Sequence, residues 1–241
     1  MAWFFTNKLV TSTFTIDGED AKHIEKSLRM KAGEELTICD STQTEHHCTI
    51  ESVSQNNVTV KVIKSTPCLN EPNVKVTLYQ ALTKGDKMDT IVQKSVELGV
   101  SEIVPIITNR CVSRPDEKSM SKKITRWQKI ALQAAKQSRR GIIPQVKPIY
   151  NLKEAIAASK NSDCTMVFYE LGGVSIKNIV TPTCKTISVF IGSEGGFEES
   201  EIAQITENAG KAATLGRRIL RAETAPLAAL TVIMYQTNNL E

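Results

Sequence analysis

The sequence of 241 residues lacks several features that would fix its class at once. It has no run of about 18 apolar residues, which excludes a membrane-spanning helix. Its first residues hold no basic stretch followed by a long apolar region, so we expect no secretory signal. No two of its six cysteines lie two to four residues apart, which argues against a zinc knuckle. We therefore expect reduced thiols and a cytoplasmic protein.

The fingerprints of common cofactor and hydrolase sites are also missing. No glycine-rich loop continues into Gly-Lys-Ser or Gly-Lys-Thr, and none has the GxGxxG spacing of dinucleotide-binding proteins. A dinucleotide-dependent oxidoreductase is therefore disfavoured. No Ser-His-Asp arrangement stands out, because all three histidines lie in the N-terminal part. Adjacent His46 and His47 would point to opposite faces of a strand, so we expect no metal site.

The composition, with 41% hydrophobic and 23% charged residues, is that of a globular protein. Residues 1 to about 66 contain short β-branched or alternating runs around one amphipathic stretch, typical of a small barrel. That stretch predicts a helix over 18–31, with Asp17 as its N-cap and Ala21, Ile24 and Leu28 on its buried face.

Two prolines in the polar stretch 67–73 mark a linker, and after it the pattern changes. Strand-like runs then alternate with helical periods, which predicts an α/β domain with a mostly parallel sheet. The predicted strands are 74–82, 102–107, 165–169, 186–191 and 212–215. The predicted helices are 86–98, 120–138, 151–160, 198–209 and 224–236. We therefore divide the chain into domains 1–72 and 73–241.

The net charge changes sign at the same boundary. Residues 1–72 hold 7 basic and 10 acidic side chains, a net charge of −3, whereas residues 73–241 hold 23 and 16, a net charge of +7. Acidic residues are absent from the segment 122–140, which has seven basic ones. We place five of these on one helical face: Lys122, Arg126, Lys129, Lys136 and Arg140. Such a face is either simply solvated or binds an anionic partner, most plausibly RNA phosphates.

A glycine-rich loop follows the apolar run that ends at Ile191. It reads Gly192-Ser193-Glu194-Gly195-Gly196-Phe197, and its three glycines would let the backbone approach a ligand closely. Glu194 would repel a phosphate, which favours a nucleoside-type ligand that carries a positive charge. The alternative is a tight turn without a ligand.

A second loop, here called the arginine loop, spans residues 215–224. Arg217, Arg218 and Arg221 interrupt an apolar stretch that we predict to be buried, and Glu223 could pair with them in a purely structural role. Thr224 could cap the helix that follows. Lys84 and Lys87 lie after a predicted strand, where open α/β sheets bind ligands.

These motifs together resemble the bacterial 16S ribosomal RNA uracil-N3 methyltransferases of the SPOUT superfamily. The resemblance extends over essentially the whole chain and rests on four segments. They are Lys84-Gly85-Asp86-Lys87-Met88 with Leu98-Gly99-Val100, Trp127-Gln128-Lys129-Ile130-Ala131 with Gln137, Ile191 to Gly196, and Leu215-Gly216 with Glu223-Thr224-Ala225. The N-terminal segment from His23-Ile24 to Leu28-Arg29-Met30 also matches.

The resemblance implies a PUA-like β-barrel that binds RNA in residues 1–72, followed by a SPOUT α/β domain with a deep trefoil knot. It implies a homodimer that uses S-adenosylmethionine, and no metal, to methylate N3 of a uridine of 16S ribosomal RNA in the small ribosomal subunit. A SPOUT methyltransferase with another RNA target, such as a ribose 2′-hydroxyl, is an alternative. A non-catalytic RNA-binding protein is another.

The resemblance also assigns residues. Arg221 would stabilise negative charge on the uracil oxygens, and Glu194 or water would act as the base. Residues expected at the cofactor are Leu171, Ile191, Gly192, Ser193, Glu194, Gly195, Leu215, Gly216, Ile219, Leu220, Thr224 and Ala225. Residues expected at RNA are Arg29, Lys84, Lys87, Arg126, Lys136, Arg139 and Arg140. The chain departs from the family pattern at Ser193, usually proline, and at its start, where Lys8 is the first basic residue.

Overall fold

The computed structural model describes residues 2–208 and 210–240. The chain divides into two compact units, one of residues 1–71 with 135–143 and the other of residues 72–134 with 144–241. The boundary between Glu71 and Pro72 lies within the predicted linker. Residues 135–143, which no sequence pattern sets apart, group with the first unit. Among the described residues, no helix combines the length and the apolar character needed to cross a membrane.

The first unit is built on a five-stranded sheet in the order β1-β3-β4-β5-β2. Its strands are β1 Ala2–Thr6, β2 Thr13–Asp17, β3 Glu35–Asp40, β4 Thr44–Ser54 and β5 Asn57–Pro67. β1 and β3 are parallel, and the other neighbours are antiparallel. Two register shifts between β4 and β5 increase the local twist, which curls the sheet around an apolar core.

The predicted helix over 18–31 is only partly correct. α1 spans Gly18–Lys22 and continues as a π-helix over His23–Leu28, which ends at Arg29 with a left-handed φ of 54°. Ala21 and Ile24 are buried as predicted, but Leu28 is 43% exposed because the wider π turn moves it off the buried face. Asp17 stands at the N-cap without a side-chain cap bond, since its carboxylate binds the Lys8 ammonium instead.

The second unit contains an eight-stranded sheet in which every pair is parallel. The order is β11-β13-β10-β12-β6-β7-β8, with β9 also paired to β7. Its strands are β6 Lys75–Ala81, β7 Glu102–Ile107, β8 Gln145–Val146, β9 Tyr150–Asn151, β10 Cys164–Phe168, β11 Val174–Ser175, β12 Thr186–Ile191 and β13 Gly210–Thr214. The sequence pattern missed β8, β9 and β11, because two residues are too few to show a period.

Helices cover this sheet close to where the pattern predicts them. They are α2 Lys87–Glu97, α3 Glu117–Gln137, α4 Leu152–Ser159, α5 Glu199–Glu207 and α6 Ala225–Gln236. The predicted helix 198–209 ends at Glu207, and residue 209 lies outside the described residues. β12 lies between β10 and β6, and residues 187–191 are all at most 2% exposed. A strand buried on both faces delivers its following loop to the middle of the carboxyl edge of the sheet.

Candidate active site

A cavity of about 550 Å³ opens in the second unit at the carboxyl ends of β10, β12 and β13. Its size suits a nucleoside-sized ligand. It is lined by Lys87, Phe168, Tyr169, Glu170, Ile191, Gly192, Ser193, Glu194, Gly195, Gly196, Thr214, Leu215, Gly216, Arg217, Arg218, Ile219, Leu220, Arg221, Ala222 and Ala225. The glycine-rich loop and the arginine loop, far apart in sequence, therefore form two walls of one cavity.

Tight backbone geometry shapes the glycine-rich loop. Its turn closes through a bond from the Gly196 N–H to the Ser193 carbonyl at 2.9 Å, with Gly196 at a left-handed φ of 68°. A Cβ at Gly192 would lie 2.9 Å from the Gly196 backbone, and one at Gly196 would lie 2.8 Å from a Glu170 carboxylate oxygen. Side chains at these two positions would therefore fill the loop itself.

Two side chains from other segments bind the loop and a third binds the residue that follows it; none of the three was predicted from the sequence. The Gln80 amide donates to the Gly192 carbonyl at 3.2 Å, and Arg110 donates to the Gly195 carbonyl at 3.0 Å. The Asn109 amide binds Glu198 at 2.7 Å, at the start of α5. Gln80 is the last residue but one of β6, and Asn109 with Arg110 follows β7, so their position at strand ends was the one available signal.

An ionic cluster joins the two walls. The Lys87 ammonium lies 3.1 Å from a Glu194 carboxylate oxygen and 3.3 Å from a Glu223 carboxylate oxygen. Glu194 also accepts the Lys84 backbone N–H at 3.0 Å. Partial burial opposes ionisation of Glu194, but its own backbone N–H, that of Lys84 and the Lys87 ammonium outweigh this and lower its pKa.

The pKa values of Glu223 and Lys87, the other two members of this cluster, are also shifted. The Glu223 carboxylate accepts its own backbone N–H and lies near Lys87 and Arg221, which lowers the pKa of Glu223. The hydrogen bond to Glu194, and to a smaller extent the contact with Glu223, raises the pKa of the Lys87 ammonium. The cluster is therefore one ammonium between two carboxylates.

The arginine loop differs from the prediction in one respect. Arg217, Arg218 and Arg221 are exposed and Ile219 is 83% exposed, so the prediction of a buried stretch is wrong. The loop forms the outer wall of the cavity, where a guanidinium keeps its hydration. The Arg221 carbonyl accepts the N–H groups of Thr224 and Ala225, each at 2.9 Å, which fixes the turn into α6.

Most residues predicted at the cofactor line this cavity, and two do not. Leu171 follows the lining residue Glu170 but is 72% exposed. Thr224 precedes the lining residue Ala225, and its hydroxyl makes no cap bond to α6.

The residues predicted at RNA differ in their exposure and in their partners. Arg126 pairs with Asp89 and Asp86 while staying exposed, and Lys136 pairs with Asp20 at 2.6 Å within the first unit. Three others are exposed: Arg29, Lys84 and Arg139. Lys87 belongs to the ionic cluster of the cavity.

Arg140 contradicts its prediction as a surface RNA contact. α3 ends at Gln137, Arg139 has a left-handed φ of 55°, and the Arg140 side chain is 3% exposed. Its guanidinium donates to the Glu71 carboxylate at 2.9 and 2.7 Å. The predicted helical spacing includes Arg140, but the helix ends before it and the chain turns inward there.

His46 forms a link that was not predicted from the sequence. His46 is 7% exposed, with Nδ1 2.8 Å from the Ser65 hydroxyl and Nε2 3.1 Å from the Asp40 carboxylate. In a hydrolase triad Nε2 faces the serine and Nδ1 faces the aspartate, which is the reverse of what is seen here. We therefore interpret these hydrogen bonds as a link between β3, β4 and β5. Within residues 2–208 and 210–240, no three His, Cys, Asp or Glu side chains are grouped to hold a metal ion.

Comparison with known proteins agrees with this geometry. Residues 70–234 match a family model described as an RNA methyltransferase domain, and residues 16–63 match an RNA methyltransferase PUA domain. The chain is 37% identical over 235 residues, 95% of its length, to the Bacillus subtilis protein named ribosomal RNA small subunit methyltransferase E, of which the match covers 92%.

Solved structures give the same result. One is the Neisseria gonorrhoeae protein of the same name bound to S-adenosylmethionine, with a TM-score of 0.87, 31% identity and coverage of 98% of this chain and 97% of that one. Another is a methyltransferase from Legionella pneumophila in complex with S-adenosylmethionine, with a TM-score of 0.87, 29% identity and coverage of 97% and 96%. The predicted fold class, a PUA-like N-terminal domain followed by a SPOUT α/β domain, is confirmed. The chain therefore belongs to the ribosomal RNA small subunit methyltransferase E family of RNA methyltransferases.

Proposed function

We propose that this S-adenosylmethionine-dependent ribosomal RNA methyltransferase methylates N3 of a uridine in 16S ribosomal RNA, and that it acts in the cytoplasm as a homodimer with a knotted cofactor site. The proposal is carried by one observation: the two loops on which the family resemblance rests form two walls of one cavity. A ligand and an acceptor base could therefore meet between the backbone of one loop and the arginines of the other.

The cavity suits S-adenosylmethionine in size, shape and charge. Its volume is about 550 Å³, and the crowding at Gly192 and Gly196 keeps a backbone surface clear of side chains. The lining holds Glu170 and Glu194 together with Lys87 and the three arginines, and such a mixed set of charges suits a ligand that carries both a carboxylate and a cationic sulfonium. The backbone of 191–195 and 215–220 would hold the cofactor. When bound, S-adenosylmethionine supplies an electrophilic methyl group on a positively charged sulfur.

Arg221 is the residue we place at the reacting base. It is one of the residues that line the cavity, and its backbone is fixed by the turn into α6. Uracil N3 must lose its proton to attack, and the negative charge that this leaves is shared with the two ring oxygens until the bond to the methyl carbon forms and the methyl–sulfur bond breaks. A guanidinium already in position would stabilise that charge without reorganising at the moment of reaction.

Glu194 is poorly placed to accept the N3 proton, because other donors already occupy its carboxylate. Its carboxylate is bound to the Lys84 N–H and to the Lys87 ammonium, and its pKa is lowered. A carboxylate stabilised in its ionised form is a weaker base. We therefore propose that solvent accepts the proton and that Glu194 helps to hold the cavity wall in place.

RNA would bind through exposed cations of both units. In the second unit, a shallow hollow of about 460 Å³ lies between α2 and α3, lined by Gln93, Lys122, Thr125, Arg126, Lys129, Ile130 and Gln133. With Lys84 it offers phosphate contacts. In the first unit, Arg29 and Arg139 are exposed and fit the same role.

The test is methyl transfer from labelled cofactor to naked 16S RNA and to assembled small subunits, followed by digestion and mass spectrometry of the nucleosides. We expect the label in 3-methyluridine. Label in a 2′-O-methyl nucleoside would replace our acceptor atom with the ribose hydroxyl, and RNA binding without transfer would indicate a non-catalytic protein.

A further inference from the structure

Lys87 occupies a central place between the two loops of the cavity. It is the first residue of α2, and its side chain is 34% exposed. Its ammonium lies 3.1 Å from Glu194 on the glycine-rich loop and 3.3 Å from Glu223 on the arginine loop. One side chain from a third segment therefore touches both walls.

A neutral side chain could not take the place of the Lys87 ammonium, because both of its partners are charged. Glu194 and Glu223 both have lowered pKa values and are ionised at neutral pH, so without the ammonium two carboxylates would face the same point and repel each other. The second anchor of Glu194 is the Lys84 N–H, which belongs to the segment that leads into α2. The cluster is therefore attached to the sheet through that segment.

Glu223, which binds Lys87, is close in sequence to Arg221, the residue that we place at the reacting base. Glu223 lies two positions after Arg221, and the carbonyl of Arg221 accepts the N–H groups of Thr224 and Ala225 at 2.9 Å each. Residues 221–225 thus form one hydrogen-bonded turn. Whatever fixes Glu223 also limits where the Arg221 backbone can move.

We propose that Lys87 is a positioning residue, whose ammonium holds the glycine-rich loop and the arginine loop together and thereby sets the position of Arg221. Because two carboxylates engage it, Lys87 is not the RNA contact that its sequence position predicts. Only the consequence for Arg221 rests on the proposed function; the clamp between the loops does not.

Hydrogen exchange of the full-length protein without ligand tests the clamp directly. We expect Lys87→Met to raise amide exchange about threefold or more in residues 192–196 and 217–224, as removal of two partly exposed ion pairs allows. Lys94→Met is the matched control, since Lys94 lies on the same helix and pairs there with Glu97. Glu223→Gln should raise exchange in 217–224 more than in 192–196. Unchanged exchange in both loops of Lys87→Met, relative to Lys94→Met, overturns the clamp.

Binding and kinetics test the consequence. Lys87→Met should weaken calorimetric affinity for S-adenosylhomocysteine about three- to tenfold and lower kcat, whereas Lys87→Arg, which keeps the charge, should recover most of both. The KM for RNA should stay unchanged in Lys87→Met, because the side chain is not a phosphate contact. A raised KM with unchanged kcat would overturn the positioning role. If the wild-type protein transfers no methyl group but the exchange result holds, the proposed function fails and the clamp stands.

Discussion

The Glu71–Arg140 pair of the first unit gives the sharpest prediction about stability. The Arg140 side chain is 3% exposed and that of Glu71 is 14% exposed. Besides the two guanidinium bonds, one Glu71 carboxylate oxygen accepts the backbone N–H groups of Gly141 and Ile142 at 2.8 and 3.2 Å. Glu71→Ala would remove four hydrogen bonds and leave a buried guanidinium without this carboxylate.

The expected cost follows from that geometry. Breaking a buried ion pair by removing one partner costs about 3–5 kcal/mol, so Glu71→Ala should destabilise the first unit by that amount. Glu71→Gln keeps an acceptor oxygen and should cost about 1–3 kcal/mol. Glu71→Ala/Arg140→Met should cost less than Glu71→Ala alone, because the guanidinium that Glu71 binds is removed as well.

Urea unfolding of the full chain at pH 7 is the assay. Trp3 lies in the first unit and Trp127 in the second, so fluorescence in a Trp127→Phe background reports the first unit. Glu51→Ala is the control, because Glu51 is exposed on β4 and its loss should cost no more than about 0.5 kcal/mol. A Glu71→Ala variant as stable as Glu51→Ala would refute the assignment of Arg140 to the interior.

Three further predictions concern the cavity and the RNA. Arg221→Ala should lower turnover about tenfold or more, yet change stability by no more than about 0.5 kcal/mol because the side chain is exposed; normal turnover in this variant would remove Arg221 from the reaction. Gly195→Val should weaken S-adenosylmethionine binding about tenfold or more, since even a Cβ there lies 3.1 Å from the nearest side-chain carbon, and undiminished affinity by calorimetry would contradict the loop assignment. Neutralising Lys122, Arg126 and Lys129 should reduce the salt slope of RNA binding by about 2, whereas an unchanged slope would mean a merely solvated helix.

The periodic parts of the fold could be predicted from the sequence. The strand over 186–191 matches β12 at both ends, and the helix predicted over 86–98 is α2 to within one residue at each end. These elements carry long, regular patterns because the sheet buries one or both of their faces. The two cavity loops could also be located, since glycines or arginines directly follow strands there.

What the sequence could not supply are contacts between distant segments. Arg140 continues the basic spacing of α3, and nothing local signals that the helix ends before it and that Glu71 holds it inside. Lys87 could be placed at a strand end, but its partners Glu194 and Glu223 lie more than 100 residues away. The strand-end position of Lys87 and the helical spacing of Arg140 predicted RNA contacts, whereas the fold pairs both residues with carboxylates.

The most direct test of the central claim is the amount of 3-methyluridine in 16S ribosomal RNA from cells that lack this protein. Nucleoside mass spectrometry should show the modification lost in the deletion strain, restored by the wild-type chain, and restored less fully by Arg221→Ala or Gly195→Val. Persistence of 3-methyluridine in the deletion strain, or loss of a 2′-O-methyl nucleoside in its place, would contradict the account.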